Sequence, residues 1–194
     1  MVPATCHKNP KKHLNESFTI FTRSMELLKR YRIKLLQRRA AGIIRPVRLC
    51  NPDTIQKAGI LWNEEDQKAF SYLQGHLTSQ GIIIRNLCFS GNKQNADSNT
   101  LTPRDLNWLG FPKGGHVENF CRTDFDLLVN LSVVHNFALD VITALSVAAF
   151  KIGWDREKLG FFDLSVDVSA QPDALYLAEQ QIYYLKLLNK NNNL

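Results

Sequence analysis

The sequence predicts an α/β fold: a three-layer, Rossmann-like sandwich with a mainly parallel sheet, preceded by a basic N-terminal helix. Apolar or β-branched runs alternate with amphipathic stretches from about residue 57 onward. Strands separated by helices of ~12 to 18 residues close most simply as parallel strands with helices on both faces. The right-handed crossover rule leaves the sandwich as the natural closure. Charge supplies the third observation. Residues 1–50 hold 12 Lys/Arg against Glu16 and Glu26, a net +10, whereas residues 51–194 hold 12 against 16 acidic residues, a net −4. A basic arm therefore joins a mildly acidic body.

Residues 1–16 are polar with two prolines and are expected to form a disordered tail. From Ser17, a candidate cap, Phe18, Phe21, Met25, Leu28 and Leu35 recur at helical spacing. Gly42 and Pro46 should end this stretch, which gives a basic amphipathic helix over 17–42. Residues 53–190 are expected to form the α/β domain. Its first strand is KAGILWN, followed by Asn63 as a helix cap with Glu64, Glu65 and Asp66 in the first turn. The helix DQKAFSYLQGHLTSQ stops at Gly81, and IIIRNLCF is the second strand. Residues 90–103 read as a surface loop, and DLNWLGFPKGG as a short edge segment. A strand FDLLVNLS, a helix NFALDVITALSVA and a strand FKIGW follow. FFDLSVDVS supplies a last strand, and Pro172 opens a final helix that frays in NKNNNL.

Cys6, Cys50, Cys88 and Cys121 are widely spaced, with no C-x-x-C pair and no zinc-type cluster. Free thiols of a reduced compartment are the expectation, and no signal peptide or membrane span is read from the apolar runs. A soluble, cytoplasmic protein is expected.

In an open parallel sheet, ligands bind outside the carboxyl ends of the strands. Here those ends carry Asn63, Ser132 and Ser169, and the loop GFPKGGH adds Lys113 and His116 as a candidate anion nest. These five residues are the candidate ligand site; the same loop read simply as a turn is the competing expectation. Nucleotide binding at the first turn is disfavoured, because three acidic side chains stand where a pyrophosphate needs glycines and a helix N-terminus. Ser132 and His135 lie three apart without the G-x-S-x-G elbow of a hydrolase, so Ser132 is read as a helix cap and His135 as a first-turn residue. Asp124 with Asp126, and Asp163 with Asp167, are read as strand-edge carboxylates, since no third ligand stands at useful spacing. No catalytic residue, metal ligand or cofactor is assigned. On the basic helix, Arg23, Arg30, Lys34, Arg38 and Arg39 are the candidates for contact with an anionic surface, a nucleic acid or a membrane. The helix packing on its own domain is the first expectation, and contact with an anionic surface the second.

The succession KAGILWN, DLNWLGFPKG, DFDLLVNLS, FKIGW, DLSVDVS and IYYLKLLNK, preceded by LLKRYRIKLLQRR, resembles a family of uncharacterised bacterial proteins with a domain of unknown function. That resemblance implies the α/β architecture but no activity and no catalytic residue. More locally, residues 124–154 are similar to the N-terminal half of heptosyltransferase-type glycosyltransferases. Those enzymes hold the donor nucleotide mainly in a second domain that 194 residues leave no room for. The expected function is a non-enzymatic binding or assembly module that uses its N-terminal helix to hold a protein partner or a second copy of itself. The alternative is a small ligand-binding domain or enzyme with a site at the carboxyl ends of the strands.

Overall fold

The computed structural model describes residues 10–49, 52–92 and 98–191. The chain divides into two units, residues 1–36 and 37–194. The first contains most of a helix, α1 (Pro10–Ala40), which runs into the second. The expected helix start at Ser17 lies inside α1, so residues 10–16 are helical rather than tail; proline is tolerated in a first turn because its missing N–H has no intrahelical partner there. Residues 1–9 of the expected tail, and 192–194 of the expected frayed end, lie outside the described residues.

The second unit is built on six strands: β1 (Lys57–Asn63), β2 (Ile83–Phe89), β3 (Thr100–Leu101), β4 (Leu127–Asn130), β5 (Phe150–Gly153) and β6 (Leu164–Ser165). Every pair is parallel and the order is β3-β2-β1-β4-β5-β6. This is the doubly wound order in which the winding reverses between β1 and β4. Four helices cover the sheet: α2 (Gln67–Thr78), α3 (Gly115–Cys121), α4 (Phe137–Leu145) and α5 (Ala174–Asn191).

Side chains alternate across each strand, and the two faces bury separate cores. Ala58, Ile60 and Trp62 of β1 join Phe70, Leu73 and Leu77 of α2 and Leu177, Ala178 and Ile182 of α5. Leu61 of β1 points the other way, to Val117 and Phe120 of α3 and Leu139 and Ile142 of α4. Gly59 is required by this second face. A Cβ there would stand 2.8 Å from Leu128 Cδ1 and 3.0 Å from Phe125 Cε2, so only hydrogen fits.

Several expected details differ. The last strand is only two residues: Val166 N still donates to Gly153 O at 2.8 Å, and beyond it the side chains of Val166 and Val168 go on into the core. The DLNWLGFPKGG segment joins no named strand; it closes on itself through an isolated antiparallel bridge between Leu106 and Pro112. Among the described residues, the β2–β3 and β5–β6 crossovers contain no helix, and their covering layers come from elsewhere in the chain. Gly81 does end the α2 turn, with φ +78.

Candidate functional site

The parallel order puts the carboxyl ends of β1 and β4 side by side, where a doubly wound sheet opens a crevice for ligands. This chain fills that position with its own amides. Asn63 Nδ2 donates to Asp66 Oδ2 at 3.1 Å and to Ser132 Oγ at 3.2 Å, and Asn136 Nδ2 donates to Asn63 Oδ1 at 2.8 Å. Asn136 in turn caps α4, its Oδ1 accepting from the backbone N–H groups of Ala138 and Leu139. The expected roles are thereby corrected. Asn63 makes no side-chain cap bond, and the cap of α4 is Asn136 rather than Ser132, because only Asn136 stands at the position whose side chain reaches the second and third helical N–H groups. His135 precedes the helix instead of lying in its first turn.

Behind this network, Asn130 ties the layers together. Its Nδ2 donates to Thr143 Oγ1 at 3.1 Å, its Oδ1 accepts from Ser132 N at 2.9 Å, and its carbonyl accepts from Gln181 Nε2 at 3.0 Å. Asp66 sits at the edge of the network. Burial raises its carboxyl above the ordinary range, outweighing the bond from Asn63, and the charges of Glu65 and Asp173 push the same way. An acidic turn with a partly desolvated carboxylate opposes a phosphate at this strand end.

Two open grooves flank the network. One, of about 400 Å³, lies at the ends of β1, β2 and β3 and is lined by Trp62, Gln67, Asn86, Ser90 and Thr100. Trp62 stacks on Phe70 at 4.3 Å and its Nε1 donates to Asn86 Oδ1 at 3.2 Å, while Ser90 Oγ donates to Glu64. The other, of about 620 Å³, lies at the ends of β5 and β6 and is lined by Trp154, Arg156, Lys158, Asp167 and Ser169.

The candidate ligand residues are thus only partly assembled. Asn63 and Ser132 meet directly, whereas Ser169 lines the β5–β6 groove. Lys113 and His116 are exposed and line neither groove. Gly110 and Gly114 have φ +83 and +118, and Lys113 N donates to Asp105 O, so the loop is a turn closed on its own backbone. Sequence reasoning missed Arg156 and Lys158. Their signal was the charged run DREK directly after the FKIGW strand. The paired carboxylates are occupied by local bonds: Asp126 accepts from Gln56 N and Lys57 N, Asp167 from Ser169 N, and Asp124 pairs with Lys57 at 3.0 Å. The Lys57 ammonium lowers the Asp124 carboxyl, and the Ser169 N–H lowers that of Asp167. No group of three His, Cys, Asp or Glu among the described residues could hold a metal, and no helix among them is long and apolar enough to cross a membrane. Cys88 and Cys121 are buried; Cys6 and Cys50 lie outside the described side chains.

Helix α1 offers a different surface. At 100° per residue, Arg23, Leu27, Arg30, Tyr31, Lys34 and Arg38 fall on one face of α1, and all six are exposed. The four cations span about 22 Å of helix. Arg39 departs from the expected set: it points away from this stripe, with its guanidinium 4.7 Å from the Phe111 ring centroid.

No curated protein and no solved structure matches the chain, so the local likeness to glycosyltransferases gains no support. A family model does match, over residues 26–188, from within α1 to near the end of α5. The chain belongs to that family, a family of unknown function designated DUF6913.

Proposed function

We propose that this chain is a non-enzymatic, cytoplasmic binding module whose α1 holds a polyanionic partner, the phosphodiester backbone of a nucleic acid. The exposed stripe of α1 carries this reading. Three of its four cations are arginines, whose planar forks suit phosphate oxygens, and Tyr31 among them offers a ring for base stacking. Among the described side chains, Leu27 and Tyr31 are its only apolar members, too little to bury in a lipid interface that requires a broad apolar face. Like charges along the stripe also oppose pairing with a second copy. The self-bonded amides at the β1–β4 position favour a scaffold role for the sheet over chemistry there. The widely spaced cysteines, with Cys88 and Cys121 buried, fit a reducing compartment.

Fluorescence anisotropy of a labelled single-stranded RNA, titrated with full-length protein across salt concentrations, tests this. Binding should weaken with a log–log slope of about −3, as expected for four phosphates neutralised. A variant with Arg23, Arg30, Lys34 and Arg38 all changed to Gln should bind at least about tenfold more weakly. Retention on anionic vesicles with no RNA binding would transfer the surface to membranes and overturn the proposal, as would an unchanged affinity in the variant.

A further inference from the structure

The loop between β3 and α3 folds as a small hairpin that holds one large ring in solvent. Lys113 N donates to Asp105 O at 2.8 Å, Leu106 and Pro112 form the antiparallel bridge, and Asn107 N donates to Phe111 O at 2.9 Å. At the tip, Gly110 N donates to Asn107 O at 2.8 Å, and Asn107 Oδ1 accepts from Leu109 N at 2.9 Å and from Phe111 N at 3.0 Å. Asn107 thereby fixes the turn with both its backbone and its side chain. Phe111, which closes the turn, is buried, meets Phe137 edge-on at 5.3 Å and carries the Arg39 guanidinium over its ring at 4.7 Å.

Trp108 stands at this tip. It is 79% exposed, more than any other aromatic side chain among the described residues, whereas Trp62 is buried and Trp154 half-buried. Among the described residues its indole N–H has no hydrogen-bond partner and its ring has no aromatic or cationic neighbour. Scattered apolar side chains are normal on a protein surface, but this one is the largest residue type, displayed on a turn that its own hydrogen bonds hold in place. A ring presented in this way loses little freedom when a flat ligand stacks on it.

The charge around the ring selects the ligand. Arg104 and Lys113 lie at the base of the hairpin, about 10 Å from the tip along three extended residues. Both are exposed, and among the described residues neither has an ion-pair partner. Arg39 reaches the same hairpin, and its chain neighbour Arg38, the last cation of the α1 stripe, belongs with it to the unit of residues 37–194. Against these cations, Asp105 Oδ2 is turned to Thr102 N and Thr102 Oγ1, both at 2.8 Å, and Glu118 pairs with Arg122 at 2.6 Å.

We propose that Trp108 is a base-stacking platform, which makes the polyanionic partner a single strand. An unpaired base lies on the indole while its phosphodiester backbone follows the neighbouring cations. Bases inside a duplex have both faces covered by their neighbours, so the ring takes only an unpaired one. This inference rests on the polyanion reading of α1 and adds the strandedness that cations alone do not read.

The test titrates full-length protein into a labelled single-stranded RNA and into its fully paired duplex, with tryptophan emission followed in parallel on unlabelled RNA. The single strand should bind at least about tenfold more tightly than the duplex and should quench the emission. Trp108→Ala should lose the quench and at least about fivefold in single-strand affinity, while its duplex affinity and salt dependence stay as in wild type. Trp108→Phe should recover part of the loss. Both variants should melt as wild type does, since the side chain is in solvent. Equal affinity for the two RNA forms, or a Trp108→Ala protein that binds the single strand unchanged, overturns the proposal. If the variant with Arg23, Arg30, Lys34 and Arg38 changed to Gln still weakens binding in that case, the polyanion reading stands without it. If neither RNA binds, both readings fall. Trp108→Ala that binds RNA normally but turns a dimer into a monomer in sedimentation velocity also overturns the proposal, and assigns the ring to an interface between copies.

Discussion

Arg45 and Asp163 meet as a two-pronged ion pair across 118 residues of sequence, Nη1 to Oδ2 at 2.9 Å and Nη2 to Oδ1 at 2.6 Å. The same guanidinium donates to the carbonyls of Ala148 and Ala149, and Asp163 Oδ2 also accepts from Lys151 N. The segment that follows α1 is thereby fastened to the amino end of β5, where Arg48 N adds a bond to Ala149 O. With both side chains about one-sixth exposed, the pair is partly screened but not a free surface bridge.

Arg45→Met and Asp163→Asn should each destabilise the fold, by about 1–3 kcal/mol, because each strands a largely desolvated partner. A double-mutant cycle by urea unfolding should give a coupling energy of about 1 kcal/mol or more. Strictly additive losses would mean that the two residues act separately.

Lys151 and Cys121 predict opposing trends at alkaline pH. Burial, then the charge of Arg45, lowers the Lys151 ammonium from 10.5 to about 8, while burial raises the Cys121 thiol from 9.0 to about 12. Between about pH 8 and 10.5 the unfolded chain holds the lysine proton that the folded chain has lost, so this group makes stability rise with pH. From pH 9 to about 12 the unfolded thiol is ionised and the folded one is not, so Cys121 makes stability fall. Urea unfolding against pH should show Lys151→Met without the rise and Cys121→Ala with a weaker fall. Parallel curves for wild type and both variants would refute the assignment.

Asn130→Ala should cost about 2–3 kcal/mol, since Thr143 Oγ1 and Ser132 N each lose a bond in a site only 3% exposed. Gln181→Met should cost less. It removes one donor bond to Asn130 O, but it also removes a buried Oε1 that has no partner among the described residues. Thermal melts of the two variants give the order, and a reversed order contradicts the bonding described.

Gly153→Ala should destabilise by about 1–3 kcal/mol through overpacking, because its Cβ would come within 2.2 Å of the Phe162 ring. Adding Phe162→Leu should recover part of the loss. If the single variant melts as wild type does, the ring does not pack there.

The repeating patterns of the chain determined much of this. KAGILWN, FDLLVNLS and FKIGW are strands because an apolar run of this length, bounded by turn residues, has to bury both faces, whereas IIIRNLCF, with Ile83 and Arg85 exposed, is read from its β-branched run. The amphipathic stretches between them had to cover those faces, which yields a parallel, three-layer α/β fold from local information alone. The acidic turn after Asn63 likewise spoke against a phosphate there without any coordinates. Strand order was not legible, since hydropathy says which face of a strand is buried and nothing about which strand lies beside it. The tertiary structure decided that β1 would sit next to β4 and so turned Asn63, Ser132 and Asn136 toward one another. It also brought Arg45 to Asp163. Such pairings join residues tens to more than a hundred positions apart. Hydrogen bonds and ion pairs act over a few ångströms, so their partners exist only once the chain has closed.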